Sequence, residues 1–194
     1  MADRTERALA AIDAANAEDP VKLDVDGRAR PKEVVHAEVV TRWLDVVDPD
    51  ADDLQRLAAR AHHLRRWAVP RTDYPEGRAG YLRWRTDQKR RHADEVGEIL
   101  AAEGFSPDEI ARVGAIVAKR GLGSDPAVQA HEDALCLAFL ELQLDPVAAQ
   151  LGHDRAVDVL RKTMGKMSPR ALELAGTVAL SAEGEALVAE AAEG

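Results

Sequence analysis

Histidine and carboxylate residues that could carry chemistry lie at separate places along this sequence. His62 and His63 are adjacent, His92 lies further along, and Glu132 and Asp133 stand together at the edge of an apolar run. Imidazoles with one or two carboxylates suit a first-row divalent ion such as zinc, iron or manganese. Such an ion lowers the pKa of a bound water until the water can act as a nucleophile. The residue types therefore predict a water-activating catalytic site formed by His63, His92 and Asp133, with Glu132 beside it.

The roles within this site stay open at the level of the sequence. Two neighbouring residues on a helix point about 100° apart, so only one of His62 and His63 is expected to face the site. Glu33 is expected either to bind the metal or to orient a histidine as a hydrogen-bond acceptor, a role open to Glu132 as well. Two alternatives use the same residues. The histidines would be structural and hydrogen-bonded to a carbonyl or carboxylate, or they would transfer protons without a metal. With a metal bound, the predicted ligands are His63, His92, Asp133 and Glu33.

Arginines interleaved with aromatic residues fill the segment between the histidines at 62–63 and at 92. Guanidinium groups bind phosphate or carboxylate in a bidentate manner, and aromatic rings stack on flat groups. The alternative is that the cations pair with the protein's own acids and the aromatic rings anchor a long loop. The first interpretation predicts an anion-binding pocket made of Arg65, Arg66, Arg71, Arg78, Tyr81, Arg85 and Lys89.

Composition limits the classes of partner. The chain has 194 residues and a formal net charge of −9, which disfavours general affinity for nucleic-acid phosphates. The charged N-terminus does not resemble a signal peptide, and no spanning segment is expected, so a cytoplasmic protein without a membrane partner is predicted. The lone Cys136 lies in an apolar run and is expected to be a small buried hydrophobe rather than a nucleophile. The expected partner is a small anionic substrate or ligand.

Helical periodicity and helix-start signals recur along the whole chain, which predicts an all-α fold of about seven to nine helices in one compact globule. Residues 1–180 are expected to form the domain, and residues 181–194 a helical tail with little to bury. The segment 68–80 holds two prolines and two glycines and is predicted to be a loop. Helices are predicted at 3–17, 31–47, 51–67, 81–102, from 106 to about 121, 124–142, 145–152, 153–166, beyond 169, and at 182–192.

The order of these parts resembles the HD superfamily of metal-dependent phosphohydrolases. Residues 58–64, AARAHHL, are similar to that superfamily's "AALLHDI", and Asp133-Ala134 is similar to its final "DA". The resemblance implies an HD-domain-like core, a divalent metal, and a first-helix ligand at His36 or Glu33. The sequence departs from the pattern at His63, which stands in place of the doublet's aspartate, and near Lys119, where a histidine is expected.

Longer motifs resemble an uncharacterised bacterial and fungal family of unknown function, numbered forty-two-zero-two. They span nearly the whole chain, and the resemblance implies no activity. Some members carry a glutamyl-tRNA synthetase label, but this sequence has neither a sheet-forming pattern nor a nucleotide-binding glycine loop. The matching segments are IDAANAEDP at 12–20, the run from Ala59 to Arg85, EDALCLAFLE at 132–141, and RKTMGKMS at 161–168.

Two functional hypotheses follow from these residues. The first is a metal-dependent hydrolase that acts on a small phosphorylated or nucleotide-like anion. The second is a non-catalytic module that binds or senses a small anion in the same pocket without a metal. Substrate, metal identity and oligomeric state stay open.

Overall fold

The structure is a computed structural model that describes residues 3–193. It confirms the all-α prediction, with nine α-helices and two short 3₁₀ helices (Arg66–Ala68 and Arg71–Asp73) in that part of the chain. The predicted boundaries at residues 1 and 194 lie outside the described residues. The α-helices are α1 Arg4–Ala17, α2 Lys32–Val47, α3 Asp53–Arg60, α4 Gly77–Ala102, α5 Pro107–Val117, α6 Pro126–Leu151, α7 His153–Met164, α8 Pro169–Ala175 and α9 Ala182–Ala192.

Helix α6 is the central element of the fold. It packs against α2 and α7 most extensively and also contacts α3, α5, α8 and α9. By length and composition alone α6 could cross a membrane, and its apolar character coincides with its burial in the core. The sequence predicted a break at 143–144, but α6 continues through Pro146. Leu144 and Ala148 are buried on either side, so packing of a continuous helix offsets the lost backbone hydrogen bond.

The C-terminal helix α9 has a packed face. Leu187 is 1% exposed and Ala191 is buried, and α9 contacts α7 and α6. The sequence suggested a tail with little to bury because the segment is rich in alanine. Small side chains here allow close approach of the helices instead.

A two-stranded antiparallel hairpin precedes α2. Strand β1 (Lys22–Val25) pairs with β2 (Arg28–Pro31) through the turn at Asp26 and Gly27, both of which have positive φ. Asp-Gly is a favoured pair for this turn because both positions need left-handed backbone. The sequence predicted no strands, and this prediction was wrong because four-residue strands carry little periodic signal.

Helix α3 ends much earlier than the sequence predicted. It stops at Arg60, and the chain continues through turns to Arg65, whose φ of 49° lies in the left-handed region. The backbone N–H of Arg65 donates to Oδ1 of the buried Asn16 at 3.1 Å. The C-terminus of α1 therefore holds the chain in a turn that the local periodicity alone does not favour.

Side chains of α4 fix the other side of this turn. His92 binds the carbonyl of Leu64, Arg91 donates to the carbonyl of Arg65, and Gln88 donates to the carbonyls of Arg66 and Val69. These contacts satisfy backbone acceptors that a continued helix would have bonded internally.

The turn predicts an inverted preference between glycine and alanine. Arg65→Gly should be more stable than Arg65→Ala by about 1 kcal/mol, because only glycine adopts left-handed backbone without steric cost. Both variants remove the same exposed side chain. Chemical denaturation of the two therefore measures the contribution of backbone conformation to the free energy of unfolding.

Arg90, exposed on α4, provides the matched control. There Arg90→Ala should be more stable than Arg90→Gly by about 1 kcal/mol, as in any helix interior. The same order of stability for the glycine and alanine variants at both positions would contradict the left-handed backbone at Arg65.

Candidate functional site

Five histidine rings meet in the interior of the protein. They come from α2 (His36), the turn after α3 (His62 and His63), α4 (His92) and α6 (His131). Ring centroids are 4.2 Å apart for His36 and His63, 4.4 Å for His62 and His63, 5.2 Å for His62 and His131, and 6.2 Å for His63 and His92. Because α3 ends at Arg60, the prediction that only one of the adjacent histidines faces the site was wrong: both line it.

Glu33, His36 and His63 form a group with the composition of a metal site. One ligand atom from each lies within 4.8 Å of the others. A carboxylate with two imidazoles suits zinc, iron or manganese. His63 Nδ1 also lies 3.1 Å from Glu33 Oε2, which makes the carboxylate its acceptor when Nδ1 is protonated. The two roles foreseen for Glu33, ligand and orienting acceptor, are both compatible with this geometry.

Several ring nitrogens of the cluster are buried without a hydrogen-bond partner: His36 Nδ1, His62 Nδ1, His92 Nε2 and both nitrogens of His131. Buried polar atoms in native proteins almost always have partners. His92 Nδ1 lies 2.8 Å from the carbonyl oxygen of Leu64, which can only accept. His92 Nδ1 is therefore the protonated nitrogen, and the lone pair is on Nε2. Such unpaired nitrogens are expected where an ion, water or ligand binds.

Burial favours the neutral form of each group in the cluster. It lowers the pKa of His36, His92 and His131 to about 3 each, and it raises the pKa of Glu33 to about 7. The cations Arg66 and Lys119 further lower the pKa of His36. Because metals bind the neutral form of imidazole, the rings are in the required state at neutral pH.

The C-terminus of α1 positions the candidate ligands. Asp19 Oδ2 accepts the backbone N–H of Glu33 at 3.0 Å and thereby binds the first turn of α2, while its Oδ1 accepts the N–H of Val21. Asn16, three residues earlier, holds the turn that carries His62 and His63. The family motif at 12–20 therefore places two parts of the site relative to one another.

The cluster opens into a cavity of about 660 Å³. Such a volume is typical of small-molecule sites. One part of its wall is apolar and includes Leu135, Phe139, Val147 and Leu151. Cys136 also lines it, and burial raises the pKa of its thiol to about 12, so the thiol stays protonated. The cationic part of the wall consists of Arg66, Arg85, Lys89, Lys119 and Lys166.

Glu132 is the acidic residue of the cavity wall. Its carboxylate pairs with Lys119 and lies 3.6 Å from Lys166. Burial raises the pKa of Glu132, but the contacts with Lys119 and the charge of Lys166 together outweigh burial, and the pKa lies below its ordinary value. Lys119 has a φ of 58°, a left-handed conformation rare outside glycine. Such strain is concentrated at functional sites.

The structure brings together some of the residues singled out from the sequence and separates others. His63 and His92 lie in the cluster, while Asp133 accepts hydrogen bonds from Ser168 N and Gln129 Nε2 at 2.9 Å and does not line the cavity. Asp133 thus orients the start of α8, which the sequence could not show. Sequence reasoning treated His62 and His131 as neighbours of the site and named His36 only as the alternative to Glu33 that the HD resemblance implies.

The predicted anion pocket is also divided. Arg66, Tyr81, Arg85 and Lys89 line the cavity, whereas Arg65, Arg71 and Arg78 do not. Arg71 donates to the carbonyls of residues 74, 75 and 77 and holds the loop together. The side chains of Arg65 and Arg78 are exposed.

These features define an all-helical protein with a buried histidine–carboxylate cluster facing a basic cavity. A family model described as "Domain of unknown function (DUF4202)" matches residues 6–188, and the chain belongs to this family. No curated protein and no solved structure matches the chain. Neither the HD-superfamily resemblance nor the glutamyl-tRNA synthetase label is supported by these comparisons.

The buried cluster predicts a pH-dependent stability. The unfolded chain protonates His131 near its ordinary pKa of about 6.5, whereas the folded protein does not until about 3, so stability falls as the pH falls between these values. This histidine alone should lower the free energy of unfolding by about 2 kcal/mol between pH 7 and pH 5. His131→Leu should lose that much less of its unfolding free energy over this interval.

His153→Leu, at an exposed position on α7 where the ring contacts Glu190, is the control and should not reduce the wild-type loss. Denaturant unfolding of the three proteins at pH 7 and pH 5 measures the difference. An unchanged pH dependence in His131→Leu would contradict neutral burial of this ring.

Proposed function

We propose that this protein is a metal-dependent hydrolase that acts on a small phosphorylated or nucleotide-like anion in the cytoplasm. The observation that carries the proposal is the convergence of Glu33, His36 and His63, with ligand atoms within 4.8 Å, at a cavity lined by cationic side chains. Neither a nucleic acid nor a membrane is part of the proposal.

The residues divide the chemistry between them. Glu33, His36 and His63 would hold a zinc, iron or manganese ion, which supplies a bound water of lowered pKa. His92 Nε2 carries an unpaired lone pair on the cavity wall and would accept a hydrogen bond from that water and orient it, while burial keeps the ring neutral by lowering its pKa to about 3. Arg66, Arg85 and Lys89 would hold the anion and neutralise charge that develops on it.

The alternative is a non-catalytic module that binds a small anion without a metal. The hydrogen bond between His63 Nδ1 and Glu33 Oε2 favours it, because that contact satisfies both groups without an ion. Under this alternative a chelator would leave stability unchanged, and anions would raise the melting temperature.

Removal of one ligand is the direct test of the enzyme. In protein purified without a histidine tag, His36→Gln should bind zinc or manganese at least about tenfold more weakly than wild type, since loss of even an outer-shell partner costs that much. Metal-dependent phosphate release from a panel of phosphomonoesters and nucleotides should fall in parallel.

His153→Gln lies on the surface and should match wild type in both measurements. Metal content by elemental analysis, isothermal titration and phosphate assay provide the readouts. Equal metal affinity in His36→Gln and wild type would refute the ligand set, and metal binding without hydrolysis of any substrate would contradict the hydrolase.

A further inference from the structure

We propose that the metal and the anion bind cooperatively, and that the anion is a diphosphate or longer chain that bridges the ion and the cations of the wall. This inference rests on the proposed metal site and names the class of ligand. It follows from the distribution of charge around the cavity.

The cavity wall has a surplus of positive charge. Arg66, Arg85, Lys89, Lys119 and Lys166 line it, and Glu132 is the acidic group among the lining residues that the structure describes. Glu33 does not line the cavity, and its Oε2 lies 3.1 Å from His63 Nδ1. The chain as a whole has a net charge of −9, so the surplus is local and is built by the fold.

This surplus opposes a free divalent ion. The side chains of Arg66 and Lys119 line the same cavity as the rings of His36 and His63, so these cations repel a positive charge placed on the rings. A metal ion bound by these two rings would meet the same repulsion in a site of reduced dielectric constant. The metal site and the anion site are therefore coupled through space.

The cations are incompletely neutralised in the absence of a ligand. Lys119 and Lys166 share the single carboxylate of Glu132. Lys89 has no ion-pair partner among residues 3–193, and burial followed by the charges of Lys119 and Arg85 lowers its pKa. An anion that enters the cavity removes repulsion among these groups as well as repulsion toward the metal.

A diphosphate fits these requirements better than a single phosphate. It has more negative charge, and its two phosphoryl groups can chelate the ion and contact the lysines at the same time. The apolar wall formed by Leu135, Phe139 and Val147 leaves space for an uncharged part of the ligand. The geometry points to organic diphosphates and triphosphates bound as metal complexes.

Because coupling between two binding sites is reciprocal, one titration tests it from either side. Manganese is titrated into metal-free protein at constant ionic strength, with and without inorganic pyrophosphate, and corrected for the complex that the two form in solution. Pyrophosphate should tighten manganese binding at least about tenfold, a typical coupling. Orthophosphate should have a smaller effect, and additional chloride none.

Lys89→Met separates the affinity for manganese alone from the effect of pyrophosphate on that affinity, because the substitution changes them in opposite directions. Removal of this cation should strengthen the binding of manganese alone by a few-fold and reduce the effect of pyrophosphate by a similar factor. Lys162→Met, an exposed lysine on α7 outside the cavity wall, is the matched control and should change neither.

The outcomes distinguish the two proposals. Equal manganese affinity with and without pyrophosphate would overturn the cooperative inference and leave the metal site in place. Weaker binding of manganese alone in Lys89→Met would also overturn it. Absence of manganese binding in both conditions would overturn the proposed function together with this inference.

Discussion

The site depends on one local constraint, the termination of α3 at Arg60 and the left-handed backbone at Arg65. A helix that continued through this segment would point His62 and His63 in directions about 100° apart. The turn instead places both rings against His36, and it brings Arg66 to the cavity wall. The geometry therefore begins with a backbone conformation and not with the histidines themselves.

That turn is held from two sides by buried polar contacts. Asn16 of α1 accepts the N–H of Arg65, and α4 binds the carbonyls of residues 64, 65, 66 and 69 through Gln88, Arg91 and His92. An unpaired buried backbone group costs about 1–3 kcal/mol, so without these contacts the turn would be less stable than a longer helix that bonds the same groups internally. His92 thus has two roles, since the nitrogen that binds Leu64 leaves the other nitrogen free toward the cavity.

Most of the helical fold could be predicted from the sequence, and the reasons are local. The capping pair Ser106 and Glu109, for example, indicates the start of α5 in the sequence and forms it in the structure. The end of α3 could not be predicted, because it depends on Asn16, which is distant in sequence. The hairpin turn at Asp26 was in principle visible from its Asp-Gly pair.

The candidate site was accessible to sequence reasoning only in part. His63, His92 and Glu33 were recognised by residue type, but Asp133 was chosen as a partner although it binds the start of α8. The sequence drew attention to Lys119 only as the place where the HD pattern expects a histidine, and to Lys166 only as a lysine of the segment 162–168 that would either edge the pocket or end a helix. Only the tertiary fold shows that they share Glu132 inside a cavity.

The most direct test of the metal centre is a crystal structure of the protein grown with zinc, with anomalous diffraction measured on both sides of the zinc absorption edge. The account predicts an anomalous peak about 2.0–2.2 Å from a ligand atom of each of Glu33, His36 and His63. A water molecule hydrogen-bonded among these three side chains, with zinc absent there or bound only elsewhere, would contradict it.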